Sequence, residues 1–284
     1  MATALLIADV LVSGVYINTP GTQEEKAASE LMTEMVAFIS AENNLIGPEI
    51  SEITTTLGDE AAKRTTLNPS FAALTVKLLR QAGVKGGDTI AIACSGSFPG
   101  LLIASLAAAE AMNIHPVTIL SLGSSSFGAS DPSFTLLDLH MKLLGAGFVS
   151  LPPEAVSVGG DRDTGDDMEP GAVKMLTEKA AACRVYIISE PVLHRNKAVR
   201  DSLYTSGGRT SVKAFINTGG GFASMGTSSL ALHMRPGLVT KAKLPPPASR
   251  GMIHDMIANG VPVIHYLNIR TISSRYKIPF DRQQ

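Results

Sequence analysis

At 284 residues, with 45% hydrophobic and 17% charged side chains, the chain is long enough to bury a sizeable core and too apolar for a disordered segment or a coiled coil. Aromatics at 5% and the absence of tryptophan suit small-residue βα packing better than an aromatic-rich sandwich. The net charge of -1 is unevenly spread: Ser202 to His254 contains Arg209, Lys213, Arg235, Lys241, Lys243 and Arg250 and no acid, which leaves the rest of the chain at about -7. Such a segment fits a carboxylate-rich or polyanionic partner, or a plain solvated surface, and nucleic acid is not among the partners expected.

Met1 to Ile17 is apolar but carries Asp9, is shorter than the ~20 residues needed to span a bilayer, and has no basic residue ahead of it. It reads as a poor signal peptide and a poor anchor, and equally as a truncated membrane segment or a docking helix. After the Asn18-Thr19-Pro20-Gly21 break, Gln23 to Glu42 reads as an amphipathic helix with Ala27, Leu31, Met35 and Phe38 along one face. That stripe needs a covering surface, in this chain or in another copy of it. Leu45 to Leu67 looks irregular, and Asn68-Pro69 then opens a helix over Ser70 to Ala82.

An alternation follows: strand Thr89 to Cys94, helix Pro99 to Met112, strand Pro116 to Leu122, helix Pro132 to Leu144, helix Pro170 to Ala182, strand Val185 to Ser189, helix Leu193 to Leu203, strand Val212 to Asn217. Lys241 to Arg250, with its three prolines, reads as a stiff exposed loop; Met252 to Ala258 reads as helix, Pro262 to Leu267 as strand and Ile269 to Tyr276 as a last helix. The pattern predicts an α/β fold: a mostly parallel open sheet with helices on both faces, a Rossmann-like three-layer arrangement, in residues 45–284, preceded by an N-terminal helical extension in residues 1–44. Cys94 and Cys183 sit at the edges of β-like runs, without metal-ligand spacing, and read as buried free thiols.

Three polar turns follow apolar runs: Cys94 to Gly100, Leu122 to Ser126, and Asn217 to Gly221. Each reads as a strand giving way to a helix, which is where open α/β sheets gather anionic ligands. The first fails as a nucleophile elbow because Ala93 and Ser97 occupy the glycine positions around Ser95, so Ser95 and Ser97 are candidate nucleophiles or helix caps. The third lacks the acid that a dinucleotide ribose requires, and Thr227 stands where a phosphate loop needs lysine. Gly159 to Asp167 clusters carboxylates but fails as an EF-hand, with Asp166 and Ala172 at the positions of the invariant Gly and Glu. Asp161 and Asp163 there are candidates for acid/base work or for a divalent cation, and no other cofactor is indicated. The six histidines are too dispersed to suggest a metal or a triad.

Leu45 to Glu49 with Ile53 to Gly58, Ser95 to Pro99, and Gly260 to His265 with Leu267 to Arg270 together resemble the bacterial poly-gamma-glutamate system protein family, and the likeness extends to Lys63-Arg64-Thr65, Asn68-Pro69, the Asp161/Asp163 loop and the Gly219 turn. The resemblance covers nearly everything after the first helix. It implies an accessory or binding component of poly-gamma-glutamate synthesis or export in the cell envelope, working beside synthase subunits, though a cytoplasmic place also fits. It also implies an N-terminal membrane segment, from which this chain's short, Asp-containing start departs. It carries no catalytic residue with it. The ligand expected is an anionic polymer, a glutamyl group or a phosphate group, held by Lys63, Arg64, Gly96, Ser124, Ser125, Gly219, Gly220 and Gly221 together with the acid-free segment. Two other readings compete: a serine-dependent amidohydrolase or transferase on gamma-glutamyl bonds, using Ser95 or Ser97 with Asp161 or Asp163, and an assembly protein that forms homo-oligomers through its first helix.

Overall fold

The computed structural model describes residues 21–281, so the apolar stretch read at Met1 to Ile17 lies outside the described residues. In chain order, α1 (Gln23–Ser40) precedes a short strand β1 (Thr54–Thr56) and two helices, α2 (Glu60–Thr66) and α3 (Ser70–Gln81). The alternating core runs β2 (Thr89–Ser95), α4 (Pro99–Ala111), β3 (His115–Ser121), β4 (Ser124–Ser125), α5 (Leu136–Gly145), β5 (Ala155–Ser157), α6 (Ala172–Ala182), β6 (Tyr186–Ile188), α7 (Leu193–Tyr204) and β7 (Val212–Thr218). It ends in α8 (Phe222–Met225), β8 (Gly237–Val239), α9 (Met252–Ala258), β9 (Val263–Tyr266) and α10 (Ile269–Tyr276). Among the described residues, no helix is long and apolar enough to cross a membrane.

Seven strands form one sheet in the order β6-β5-β3-β2-β7-β9-β8, parallel throughout except for β8 against β9. The sheet starts at β2, grows on one side through β3, β5 and β6, then returns to the other side of β2 with β7. The topological switch point therefore lies between β2 and β7, where Ala93 pairs with Asn217 and Cys94 with Thr218. The expected α/β three-layer architecture is present.

Alternation along the strands divides the core in two. Ile90, Ile92 and Cys94 of β2 join Leu120, Ile216 and Tyr266 in one apolar cluster, with residues of α1, α3, α4, α5, α6 and α10. Ala91 and Ala93 point to the opposite face, where Phe215 and Tyr204 pack edge to face at 5.8 Å and residues of α8 and α9 complete the cover. The small β2 side chains on that face leave room for the two rings.

Helix α4 explains the layer outside the first face. Pro99 through Ala109 are all buried, so this helix has no polar side to turn to solvent. One side meets the sheet, and α1 and α3 cover the rest. The helix expected as an extension is thus the outer wall of the core. Its buried residues are Ala28, Met32, Met35 and Ile39, a stripe turned by about one residue from the one the spacing suggested. Phe38 lies at the edge of that contact, tilted against Phe148 at 5.3 Å with Lys142 Nζ 5.7 Å from its ring.

Other departures have local causes. The irregular-looking stretch before Asn68 holds β1 and α2, and β1 pairs with β4 as a separate two-stranded ladder. The second polar turn therefore leads into a strand rather than a helix. Helix α5 starts at Leu136 instead of Pro132 because Asp131 makes its own turn, accepting from the Ser133 N–H and hydroxyl, while Thr135 and Asp138 form a capping box that begins the helix. Strand β5 is only three residues long, too short to register as a periodic run. Both cysteines are free; Cys94 is buried and Cys183 only partly so.

The rotated stripe is testable by paired truncation. Met32→Ala should cost about 2 to 5 kcal/mol in urea unfolding, as a methionine removed from a packed core does, while Phe38→Ala should cost less than half as much.

Candidate functional site: a cleft at the carboxyl ends of the strands

The carboxyl ends of the parallel strands open onto a cleft of about 680 Å³. The turn after β2 contributes Ser95, Ser97 and Phe98, the end of β3 contributes Ser121 and Gly123, and β4 contributes Ser125. The turns after β5, β7 and β9 add Gly159 and Gly160, Gly220 and Gly221, and Asn268. Strand β1 and α2 close one wall with Thr55, Thr56, Asp59 and Lys63. The three polar turns of the sequence thus meet around one space, beside the switch point.

Within the first turn, the three candidates separate. Ser95 is buried at the end of β2, and its hydroxyl has no hydrogen-bond partner among the described residues. Gly219 lies over it with φ +98°, and a Cβ there would stand 2.1 Å from Ser95 Oγ, so only glycine serves. Ser97 Oγ accepts the Ser125 N–H at 3.1 Å, which ties the first turn to the second. Gly96 is used up in the framework, donating to Ser121 O and accepting from the Ala129 N–H, and does not line the cleft. Ser124 does not line it either: its hydroxyl donates to Ser125 O at 2.8 Å.

Lys63 is the most unusual group in the cleft. It is 2% exposed, and its Nζ donates to Ser97 O at 2.5 Å and to Ser125 Oγ at 2.7 Å while lying 3.8 Å from the centre of the Phe98 ring. Burial without a carboxylate in contact disfavours the ammonium and pushes its pKa down to about 7, with Asp59 at longer range pulling the other way. The amine is therefore partly neutral near neutral pH. Its neighbour Arg64 turns away, pairing with Asp281 at 2.9 Å and with Glu60, and does not line the cleft.

The acidic turn splits by function. Asp163 is 2% exposed and points into the body, where it accepts from Arg200 at 2.7 Å, Asn196 at 2.9 Å and Ser157 at 2.6 Å. With all of these donors satisfied it is a structural tie, and it does not line the cleft. The tie holds a strained stretch, since Arg162 and Asp163 both have positive φ, at 48° and 65°. Asp161, Arg162 and Asp167 do line the cleft, with Asp167 accepting the Asp161 N–H at 2.7 Å. Asp166 is held at 2.5 Å by Arg162. The carboxylates thus diverge, and among the described residues no group of three or more His, Cys, Asp or Glu side chains could hold a metal ion.

The acid-free segment reaches the cleft only through Gly220, Gly221 and Phe222, and none of its six basic residues lines it. Of these six, Arg250 lines a smaller groove of about 460 Å³ beside Lys197 and Asp255. The cleft's cations are instead Lys63, Arg162 and Arg270, and sequence reasoning singled out only the first. Arg270 follows Asn268, whose side chain caps α10 by accepting the Thr271 N–H, so the strand-cap-helix pattern at Leu267 to Arg270 was the available signal. No histidine lines the cleft. His265 lies beneath the third turn, its Nδ1 3.2 Å from Asn217 Nδ2, and burial lowers its pKa to about 4. Burial also pushes the Cys94 thiol up to about 12, which leaves it inert as a nucleophile.

No protein-family model matches this chain, and no curated protein or solved structure is significantly similar to it.

Two expectations follow for the buried charges. Asp163→Ala strands Arg200 without its partner and should lower the unfolding free energy by about 3 to 5 kcal/mol, read by urea titration. For Lys63 the folded pKa lies below the unfolded one, so its charging opposes folding below pH 7, and the cost is relieved as the pH rises from about 7 to 10.5. Across that window the stability of the native chain relative to Lys63→Met should rise by about 1.4 kcal/mol per pH unit.

Proposed function

We propose that this protein holds glutamyl groups of an anionic polymer in the cleft at the strand ends, as an accessory component of poly-gamma-glutamate synthesis or export. The observation that supports the reading is the convergence of all three polar turns on one cleft, two of them in hydrogen-bond contact with Lys63, at the switch point where open α/β sheets place their ligands. The chemistry of the lining favours a carboxylate with polar neighbours over a bare polyphosphate. Three cations, Lys63, Arg162 and Arg270, share the lining with the carboxylates of Asp59, Asp161 and Asp167; Arg162 pairs with Asp161 and Asp166, and Arg270 lies 3.7 Å from Asp59. Asp59 is occupied in capping α2, and Asp167 in holding the Asp161 N–H, so both carboxylates are partly spent. A glutamyl unit, with an α-carboxylate and an adjacent N–H or ammonium, matches such a mixed wall. Gly220 adds an N–H with no acceptor among the described residues, beside open space at its Cβ position. The family resemblance supplies the polymer, the synthase subunits and the cell-envelope setting.

Calorimetric titration with poly-gamma-glutamate and short glutamyl oligomers at about 20 mM salt should give saturable binding that weakens several-fold at about 300 mM. The double substitution Arg162→Ala with Arg270→Ala should reduce affinity roughly tenfold or more. Absence of binding at low salt, or affinity indifferent to the double substitution, would overturn the reading.

A further inference from the structure

The cleft contains one nucleophile-base pair already in contact. We infer that Ser125 and Lys63 form a serine-lysine dyad that cleaves or transfers acyl groups at amide bonds of glutamyl chains. This inference rests on the proposed ligand for its substrate but on geometry for its chemistry. Ser125 Oγ is 2.7 Å from Lys63 Nζ, within the range of proton transfer, and both residues line the cleft. Neither Ser95 nor Ser97 has such a base: the Ser95 hydroxyl is without a partner, and the Ser97 hydroxyl accepts a backbone N–H. With no histidine in the lining, Lys63 is the group there suited to take a hydroxyl proton near neutral pH.

The surroundings fix the pair in one geometry. Lys63 Nζ is anchored by its second bond, to Ser97 O at 2.5 Å, and its stem passes under Gly58, where a Cβ would come within 3.2 Å of both Lys63 Cε and Ser125 Oγ and within 2.4 Å of Ser126 O. Ser125 sits on β4, paired with Thr56 of β1, so the nucleophile is carried by a strand and not by an elbow. A neutral lysine offers N–H to Ser97 O and its lone pair to the Ser125 hydroxyl. Exposed Gly220 on the cleft wall presents its backbone N–H as a candidate donor for a developing oxyanion, while the Ser95 hydroxyl is buried beneath Gly219.

The reaction balances with water as the only co-reactant. Ser125 Oγ attacks the amide carbonyl carbon while its proton passes to Lys63 Nζ. The C–N bond then breaks, and the departing amine takes that proton from the lysine. Water next attacks the acyl-serine and gives one proton to Lys63, that proton returns to Ser125 Oγ as the C–O bond breaks, and the carboxylic acid released loses its remaining proton to solvent. A second glutamyl amine in place of water gives transfer instead of hydrolysis.

The test incubates the full chain with p-nitrophenyl acetate, with gamma-glutamyl p-nitroanilide and with a fluorophosphonate, followed by intact mass and peptide mapping. The expected result is one covalent adduct on Ser125, absent in Ser125→Ala, with acylation slowed about 100-fold or more in Lys63→Met. In the native chain, which needs no variant to fold, the acylation rate should rise with pH through about 7 and level above it, following Lys63. An adduct on another serine, no adduct with any of the three reagents, or a rate that ignores pH in this range overturns the dyad. Glutamyl binding without any adduct removes the dyad and leaves the binding reading standing. Acylation of Ser125 by the ester and fluorophosphonate alone, without glutamyl binding, supports the dyad and removes the glutamyl ligand.

Discussion

Helix α4 is apolar on every side, and much of the molecule's arrangement is a response to that. A helix resting on a sheet ordinarily turns a polar face to water, but between Pro99 and Ala109 this one has only small and aliphatic residues with a single serine, whose hydroxyl bonds back to Leu101 O. It must be covered on its outer side as well, and α1 and α3 supply the cover. Fixing α4 between the sheet and this outer layer also fixes its first residue, Pro99, and therefore the Ser95 to Phe98 turn that feeds it. The cleft is built on that turn. Core packing and site geometry are in this sense one constraint, because the residues that leave β2 for α4 have no freedom to move without exposing apolar surface.

Two deeply buried charges, Asp163 and Lys63, are treated in opposite ways. Asp163 receives an arginine, an amide and a hydroxyl, all nearly inaccessible themselves, so its charge is fully compensated and the strained turn from Gly159 to Asp163 is held in place. Lys63 receives a carbonyl, a hydroxyl and the face of Phe98, none of which carries full negative charge. Such a setting stabilises an ammonium only in part, even with the ring quadrupole in its favour. A lysine placed for stability would have been paired, as Lys197 is with Asp255 and Lys179 with Asp138. Leaving Lys63 unpaired costs folding energy and yields an amine that exchanges its proton near neutral pH, a trade characteristic of functional positions.

The legible parts of this fold were those with long, uninterrupted patterns. Strands β2, β3 and β7, each of seven residues, and helices such as α9 and α10, with clear caps and stops, emerge at or within a residue or two of their expected bounds. β1, β4, β5 and β8, of two or three residues, carry too few side chains for alternation to register and exist because their backbone groups find partners in space, whereas β6, equally short, lies within the apolar run Val185 to Ile188. The rotation of the α1 stripe has the same origin: Ala27 and Ala28, or Leu31 and Met32, are equally apolar, and only the shape of α4 and α3 chooses between them. At the site, the Gly and Ser turns announced the strand ends, but nothing local distinguishes Ser125, which contacts Lys63, from Ser124, which does not. The pairing spans 62 positions and depends on the parallel register of β1 with β4. Asp163 was misread for the mirror-image reason: its acidic neighbours suggest a solvated or catalytic turn, while its true partner, Arg200, lies on α7 with no sequence mark.

The charge asymmetry of the chain is instructive in the same way. The acid-free segment from Ser202 to His254 suggests a basic face for the ligand, yet the cations that reach the cleft come from α2, the turn after β5 and α10. The cleft's lining is balanced in formal charge, Lys63, Arg162 and Arg270 against Asp59, Asp161 and Asp167, so the proposed ligand would be selected less by long-range attraction than by directed contacts. Directed contacts discriminate by geometry: the proposed ligand would have to offer acceptors to Lys63, Arg162 and Arg270 in place of the carboxylates that already pair with Arg162 and Arg270, and donors to those carboxylates in return. A simple anion satisfies only half of that wall, and leaves Asp161 and Asp167 facing negative charge. A group carrying both signs, or a carboxylate beside an amide N–H, satisfies both halves, and this requirement rather than the net charge of any segment narrows the chemistry the cleft accepts.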